Sequence, residues 1–247
     1  MEVLVVGNTA YVDDDFCAKA FPGDHVQVVA VQDTRRDESS PHASWKELLQ
    51  HLEQAYEFDC VVYLSNYLTP HTDTVGDIEL LRSVFRACAG RRVQLLYVAG
   101  PAGAEGAADA AGRTGKGIIA HAANDLCRYY AAREGVQTKI LRVPFLYTAS
   151  AALEDPFLVP LFDACSTGSV ALQGAQDAAF PLLCAEELAV LVRRIFDSWD
   201  GNFETLDVAD TFHHTAGEVG DALKALFPHA EAVSCPTWDE VFDAVEK

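Results

Sequence analysis

Five short and nearly continuous apolar runs punctuate the first 145 residues: Val3–Val6, Val26–Val31, Cys60–Leu64, Val93–Val98 and Thr138–Val143. They are rich in β-branched residues and lack strict polar alternation, which is how strands covered on both faces read. Between them lie stretches with apolar positions at helical spacing. Ser44 and Glu47 form a capping box that opens a helix running to about Glu57. In such a box the serine accepts from a first-turn amide while the glutamate reaches back to the cap amide. A second helix spans about Gly76–Ala89 and stops at Gly90, and a third spans about Lys116–Glu134 and stops at Gly135. Each glycine supplies the left-handed residue that closes a helix. Strand–helix alternation with right-handed crossovers predicts a doubly wound, mainly parallel sheet with helices on both faces.

Beyond residue 145 the rhythm changes to a smaller α/β portion, so the chain divides into 1–145 and 146–247. Leu158–Cys165 reads as a short helix, Ser169–Leu172 as a strand, Glu186–Trp199 as a longer amphipathic helix and Phe203–Val208 as a strand. Capping boxes at Thr215/Glu218 and Thr237/Glu240 open two further helices. No linker rich in Pro, Ser or charge separates the two portions, which predicts that they pack together. Residues 100–117 are almost wholly Gly, Ala and small polar side chains, with little to pack. This loop follows the fourth strand, on the edge where open α/β sheets place their ligands. Its Thr114-Gly-Lys-Gly117 does not have the spacing of a phosphate loop, and no Ser or Thr follows Lys116.

Charge and cysteine usage narrow the partners. The net charge of −19 repels nucleic acid and anionic membrane at long range. No apolar run reaches the roughly 18 residues that span a bilayer, and the strand-like start lacks a signal sequence, so a cytoplasmic place is expected. The seven cysteines are odd in number and contain no C-x-x-C pair, which predicts buried free thiols and no metal centre.

Several segments together resemble the extended short-chain dehydrogenase/reductases, the NAD-dependent nucleotide-sugar epimerases and dehydratases. Gly117-Ile-Ile-Ala-His-Ala-Ala-Asn-Asp-Leu-Cys-Arg-Tyr-Tyr-Ala131, followed by Thr138-Lys-Ile-Leu-Arg-Val-Pro-Phe-Leu-Tyr147, matches the frame of the family's catalytic helix and the strand after it. The first strand and turn, Val3-Leu-Val-Val-Gly-Asn-Thr-Ala-Tyr-Val-Asp-Asp-Asp15, matches the frame of its Gly-x-x-Gly-x-x-Gly turn. Asp59-Cys-Val-Val-Tyr-Leu-Ser-Asn66 is similar to its Asp-x-Val-x-His-x-Ala-Ala strand, with Tyr63 where the family has His. Ala179–Ala189 resembles a stretch before its penultimate helices, without the sugar-nucleotide Arg and His.

The resemblance implies a Rossmann-like fold with NAD or NADP at the first turn. The candidate cofactor residues are Gly7, Thr9, Ala10, Tyr11, Val12, Asp33, Arg35 and Ser65. Each diagnostic motif, however, is altered in part. Ala10 and Asp13 stand where the second and third glycines would be, and Asp13–Asp15 bring carboxylates to the turn that would hold a pyrophosphate. Ala99 and Gly100 replace the family's serines, Lys116 its tyrosine and Ala120 its lysine. None of the eight tyrosines has a lysine four residues later. Lys116, His121 and Tyr97 are the substitute acid/base candidates, against their ordinary roles as loop cation, helix polar residue and strand aromatic. The reading is a non-catalytic protein that binds a small molecule, a dinucleotide or a protein partner, with weak or absent NAD(P) binding. The alternative is an NAD(P)-dependent oxidoreductase or isomerase with a rearranged site. The family often dimerises through the helices at 76–89 and 116–134, and Ile118, Ile119, Ala122, Leu126 and Tyr130 give the latter apolar residues on more than one face. A homodimer is expected.

Overall fold

The computed structural model describes residues 1–7, 11–30, 58–65, 74–100, 108–109, 112–113, 115–147, 182–208 and 218. In chain order they form β1 (Glu2–Gly7), α1 (Asp14–Ala20), β2 (His25–Ala30), β3 (Cys60–Leu64), α2 (Thr74–Cys88) and β4 (Gln94–Ala99). There follow β5 (Ala108–Asp109), β6 (Gly112–Arg113), α3 (Gly115–Arg133), β7 (Gln137–Arg142), β8 (Phe145–Tyr147), β9 (Leu182–Cys184), α4 (Ala185–Asp197) and β10 (Phe203–Asp207).

Six strands form one parallel sheet in the order β2-β1-β3-β4-β7-β10. The fold class expected from the alternating pattern is the fold observed. All five predicted strands of the first portion are present within a residue or two, and Phe203–Val208 is β10, which extends the same sheet beside β7.

Side-chain alternation along each strand builds a core on both sides of the sheet. Val3 and Val5 of β1, with Val62 of β3 and Leu96 and Val98 of β4, meet Phe16 and Ala20 of α1 and Leu188, Ala189 and Val192 of α4. Leu4 and Val6, with Val61, Tyr63, Leu95 and Tyr97, meet Leu80, Leu81, Val84 and Phe85 of α2 and Ala123, Cys127 and Tyr130 of α3. Burying each such Leu or Phe contributes roughly 1.5–3 kcal/mol relative to exposure. Polar faces on both sides of a strand would forfeit this, which is why these runs read as continuous. Gly90 and Gly135 follow α2 and α3 at φ of +73° and +71°, the left-handed closure expected of them.

Two features differ from expectation. Part of the Gly/Ala loop is ordered as the small antiparallel pair β5–β6, and α3 begins at Gly115 within it. Phe145–Tyr147 and Leu182–Cys184 form a parallel pair, β8–β9, too short to leave a periodic signature. The predicted helices at 44–57, 158–165 and 237 onward, the strand at 169–172 and all but Glu218 of the Thr215 box lie outside the described residues.

Candidate functional site

The strand order reverses at β1, with β2 on one side and β3 on the other. In such sheets the crevice outside the strands' carboxyl ends at that reversal is where ligands sit. Its floor is formed by the ends of β1 and β3. A Cβ placed on Gly7 would lie 3.0 Å from Leu64 Cβ, so a side chain here would have to push against β3.

Beyond Gly7, Tyr11 and Val12 are turned inward and buried in the core with Phe16. Asp13 is the N-cap of α1, extended at φ −91° and ψ −177°, and its Oδ1 accepts from the Phe16 amide at 2.8 Å. Asp14 and Asp15 occupy the first turn of the helix, and all three acids are exposed. The first-turn amide that a phosphate would seek therefore already has a carboxylate. Thr9, Ala10, Asp33 and Arg35 lie outside the described residues.

At the end of β3 lies a buried polar cluster. Asp77, in the first turn of α2, accepts the Tyr63 hydroxyl at 2.5 Å on Oδ1 and the Ser65 hydroxyl at 2.7 Å on Oδ2. All three residues are buried. Ser65, a candidate cofactor contact, thus points its hydroxyl at α2. Burial raises the Tyr63 phenol well above the ordinary tyrosine range, and the Asp77 charge raises it further. The Tyr97 ring packs on Tyr63 with centroids 5.9 Å apart and is itself buried.

Sequence reasoning did not single out Asp77, although a signal was there. Asp77 shares the i, i+3, i+4, i+7, i+8 stripe of α2 with Leu80, Leu81, Val84 and Phe85. An acid on a core-facing stripe needs buried donors. Lys139 was missed in the same way. It sits buried in β7, bound to Asp200 at 3.0 Å and Glu204 at 2.6 Å with Trp199 beneath it at 5.4 Å. Its position at the β7–β10 edge makes it a structural tie.

Ala99 and Ala120, which the resemblance sets against the family's serine and lysine, are both buried. His121 is half-buried on α3, and the side chain of Lys116 lies outside the described residues. Arg142, at the end of β7, faces Asp207 of β10 at 3.6 Å. The five described cysteines are free; Cys60, Cys88 and Cys127 are buried, and Cys17 and Cys184 half-buried. Among the described residues no group of three His, Cys, Asp or Glu side chains is arranged for a metal ion. No described helix is long and apolar enough to cross a membrane.

No protein-family model and no curated protein matches the chain. Solved structures do. The chain is similar to the Bordetella bronchiseptica enzyme WbmF in complex with NAD+ and UDP, with TM-score 0.67 and 16% identity over 96% of this chain and 81% of that one. The UDP-glucose 4-epimerase of Thermotoga maritima with UDP-glucose matches at TM-score 0.67 and 12% identity over 98% and 88%. The UDP-glucuronic acid 4-epimerase of Bacillus cereus with UDP-glucuronic acid and NAD matches at 0.63 and 11% over 96% and 86%. The fold is that of the nucleotide-sugar epimerases. At such identities the likeness speaks for architecture, and function has to be argued from the site.

Proposed function

We propose that this chain is a non-catalytic member of the epimerase-like folds, acting by binding a small molecule or a protein partner and holding NAD(H) and NADP(H) weakly or not at all. The observation that carries the reading is the Asp13 carboxylate on the Phe16 amide. A pyrophosphate at this turn would have to displace that carboxylate and sit beside Asp14 and Asp15. The residues at α1 therefore do not fit the dinucleotide that the fold suggests.

The alanines at the positions matched to the family's serine and lysine support the same reading. Ala99 and Ala120 carry nothing that moves a proton. Tyr63 and Tyr97 are enclosed in the core, and the Tyr63 phenol is held protonated by burial and by Asp77. General acid–base transfer contributes roughly 10²–10⁴-fold in enzymes that have it, and the described crevice holds no exposed group in the place to supply it. The ligands bound to the structural neighbours make NAD and UDP-sugars the first molecules to try.

Calorimetry with NAD+, NADP+ and UDP-glucose, together with an epimerisation assay on UDP-glucose, tests the reading. No turnover and no micromolar dinucleotide binding are expected. Turnover with added or co-purified NAD would instead establish an NAD-dependent enzyme with a rearranged site. The resemblance also supports a homodimer through the outer faces of α2 and α3. Light scattering at tens of micromolar should then return twice the chain mass, and the chain mass alone would refute it.

A further inference from the structure

The charge of this chain is unevenly spread, and the exception to its acidity lies where α2 and α3 end. The sequence has 37 acids for 18 bases. Yet residues 82–93 hold four arginines and no acid, and residues 126–137 hold two arginines and one acid. The fold brings these two stretches together. The Phe85 and Tyr130 rings stack at 4.7 Å between the helices. The Gly90 amide, in the turn after α2, donates to the Glu134 carbonyl at the end of α3 at 3.3 Å. Arg86, Arg91, Arg92 and Arg133 therefore share the end of the molecule at the amino edge of the sheet, with Arg82 one turn further up α2. All five are exposed.

Ordinary roles account for part of this. Arg86 and Arg133 stand in the last turns of their helices, where a cation opposes the helix dipole by about 0.3–1 kcal/mol. Arg91 and Arg92 lie in the turn beyond α2, outside those positions. Neutralisation within the fold does not account for the group either. Lys19, Lys139, Arg142 and Arg193 are each paired with carboxylates. Arg82, Arg86, Arg92 and Arg133 form no ion pair among the described residues. Two acids at this end are engaged elsewhere: Glu134 Oε1 lies 3.5 Å from the Tyr129 hydroxyl, and Asp59 Oδ2 accepts from the Glu2 amide at 2.8 Å. The Tyr129 ring is half exposed and edge-on to Tyr130 at 5.3 Å, so an aromatic surface adjoins the arginines.

Chemistry and size decide what such a group can hold. A guanidinium presents two parallel N–H donors that match a carboxylate, and it is more weakly hydrated than an ammonium. Within a Debye length of about 8 Å at physiological salt, an anion at this end feels the arginines more than the rest of the chain. A long polyanion such as nucleic acid has to run past them onto a surface that repels it. Arg82 and Arg86 are about 6 Å apart along α2 at about 1.5 Å per residue. With the turn added, the patch is on the order of 15 Å long, the span of about five extended residues.

We propose that this arginine surface docks a short acidic segment of a partner protein, with its carboxylates on Arg86, Arg91, Arg92 and Arg133 and an apolar side chain on Tyr129. The proposal rests on the protein-partner reading above and names the partner's chemistry and the surface that takes it. Arg91 and Arg92 lie past the helix flanks through which copies would pair, so docking and the homodimer are separate matters.

The test is fluorescence anisotropy with the full chain and a fluorescein-labelled peptide, Glu-Glu-Leu-Glu-Glu, against its counterpart Gln-Gln-Leu-Gln-Gln. The acidic peptide should bind at least about tenfold more tightly. Raising salt from about 0.1 M to about 1 M should remove that difference, because the Debye length falls from about 10 Å to about 3 Å. Arg86→Gln with Arg92→Gln removes two exposed charges and should weaken binding about tenfold or more, with the thermal midpoint unchanged. Arg193→Gln with Arg194→Gln removes the same charge from α4 and should change binding by less than about twofold. Equal binding of the two peptides, an equal loss from the two double variants, or tighter binding of a labelled DNA duplex than of the acidic peptide overturns the proposal. The underlying reading is decided separately: turnover on UDP-glucose overturns it without moving these affinities.

Discussion

Asp13 gives the sharpest prediction because its two roles can be separated. Its Oδ1 accepts from the Phe16 amide at 2.8 Å, and its charge lies where a dinucleotide pyrophosphate would come. Asp13→Asn keeps a capping oxygen and removes the charge, and asparagine caps about as well as aspartate. Asp13→Gly together with Ala10→Gly removes the carboxylate and restores both glycines of the turn, at a cost in helix capping of a few tenths of a kcal/mol. At about 5 Å and an effective dielectric near 20, one carboxylate opposes one phosphate charge by about 3 kcal/mol. Asp13 is exposed, so solvent and salt leave about half of that or less. The expected gain in NAD+ affinity for the double variant is at least tenfold, about 1.4 kcal/mol. Asp13→Asn should recover most of it with no change in thermal midpoint. Calorimetry at low and at high salt measures both effects, and the gain should narrow as the Debye length falls from about 10 Å to about 3 Å. Micromolar NAD+ binding by the unmodified chain would refute the reasoning outright. If both variants gain nothing, charge is not the obstacle, and the obstruction belongs elsewhere, with residues 100–117 the first segment to shorten.

Three further outcomes follow from the buried groups. Burial pushes the Cys60 and Cys88 thiols up to about 12 from an ordinary 9.0, and raises Cys127 and Tyr63 as well. The folded chain therefore keeps protons that the unfolded chain gives up, so stability is full below about pH 9 and falls as pH rises toward 12. Each thiol in that window contributes up to about 1.4 kcal/mol per pH unit. Urea midpoints across this range should fall steeply, and Cys88→Ala should flatten the slope; a level profile would contradict it. Asp77→Asn replaces one acceptor of the Tyr63–Ser65 pair by a donor and should cost about 1–3 kcal/mol in urea unfolding. A change under about 0.5 kcal/mol would mean the cluster is wetter than its burial indicates. Gly7→Ala sets a methyl 3.0 Å from Leu64 Cβ, an atom fixed to the strand, and should cost about 1–3 kcal/mol. A neutral result would show that β1 and β3 are free to part.

The fold was legible because a parallel sheet covered on both faces imposes the same demand at every strand position. Val3–Val6 and Cys60–Leu64 had to be apolar throughout, and they are buried throughout. Helix ends were legible for a local reason: Gly90 and Gly135 adopt a conformation that other residues resist. What escaped lacks periodicity or depends on distant partners. β8 and β9 have three residues each and take their identity from pairing across a long stretch of sequence. Asp77 and Lys139 were polar residues in apolar patterns, and their meaning depended on Tyr63, Ser65, Asp200 and Glu204, which the sequence places 12 to 65 positions away. Both are instances of one rule: a charged residue on a core-facing stripe identifies a cluster before its members are known.

The turn after β1 admitted two readings. Its sequence showed carboxylates where a phosphate would lie, which argues repulsion. The same carboxylates could instead cap the helix, which argues replacement, and Asp13 is that cap. The two differ physically. Repulsion weakens a site that is otherwise still formed, whereas a cap takes over the donor that made it a site. A helix N-terminus has few free amides, and in a phosphate-binding turn the ligand satisfies them. Here Asp13 satisfies one of those amides, that of Phe16, from within the chain. A capped turn of this kind can persist in a stable fold after binding is gone, because the stability that bound phosphate would have contributed is supplied by the side chain. On this view Gly7 persists for the packing of β3 against β1, and its survival alone says nothing about a cofactor.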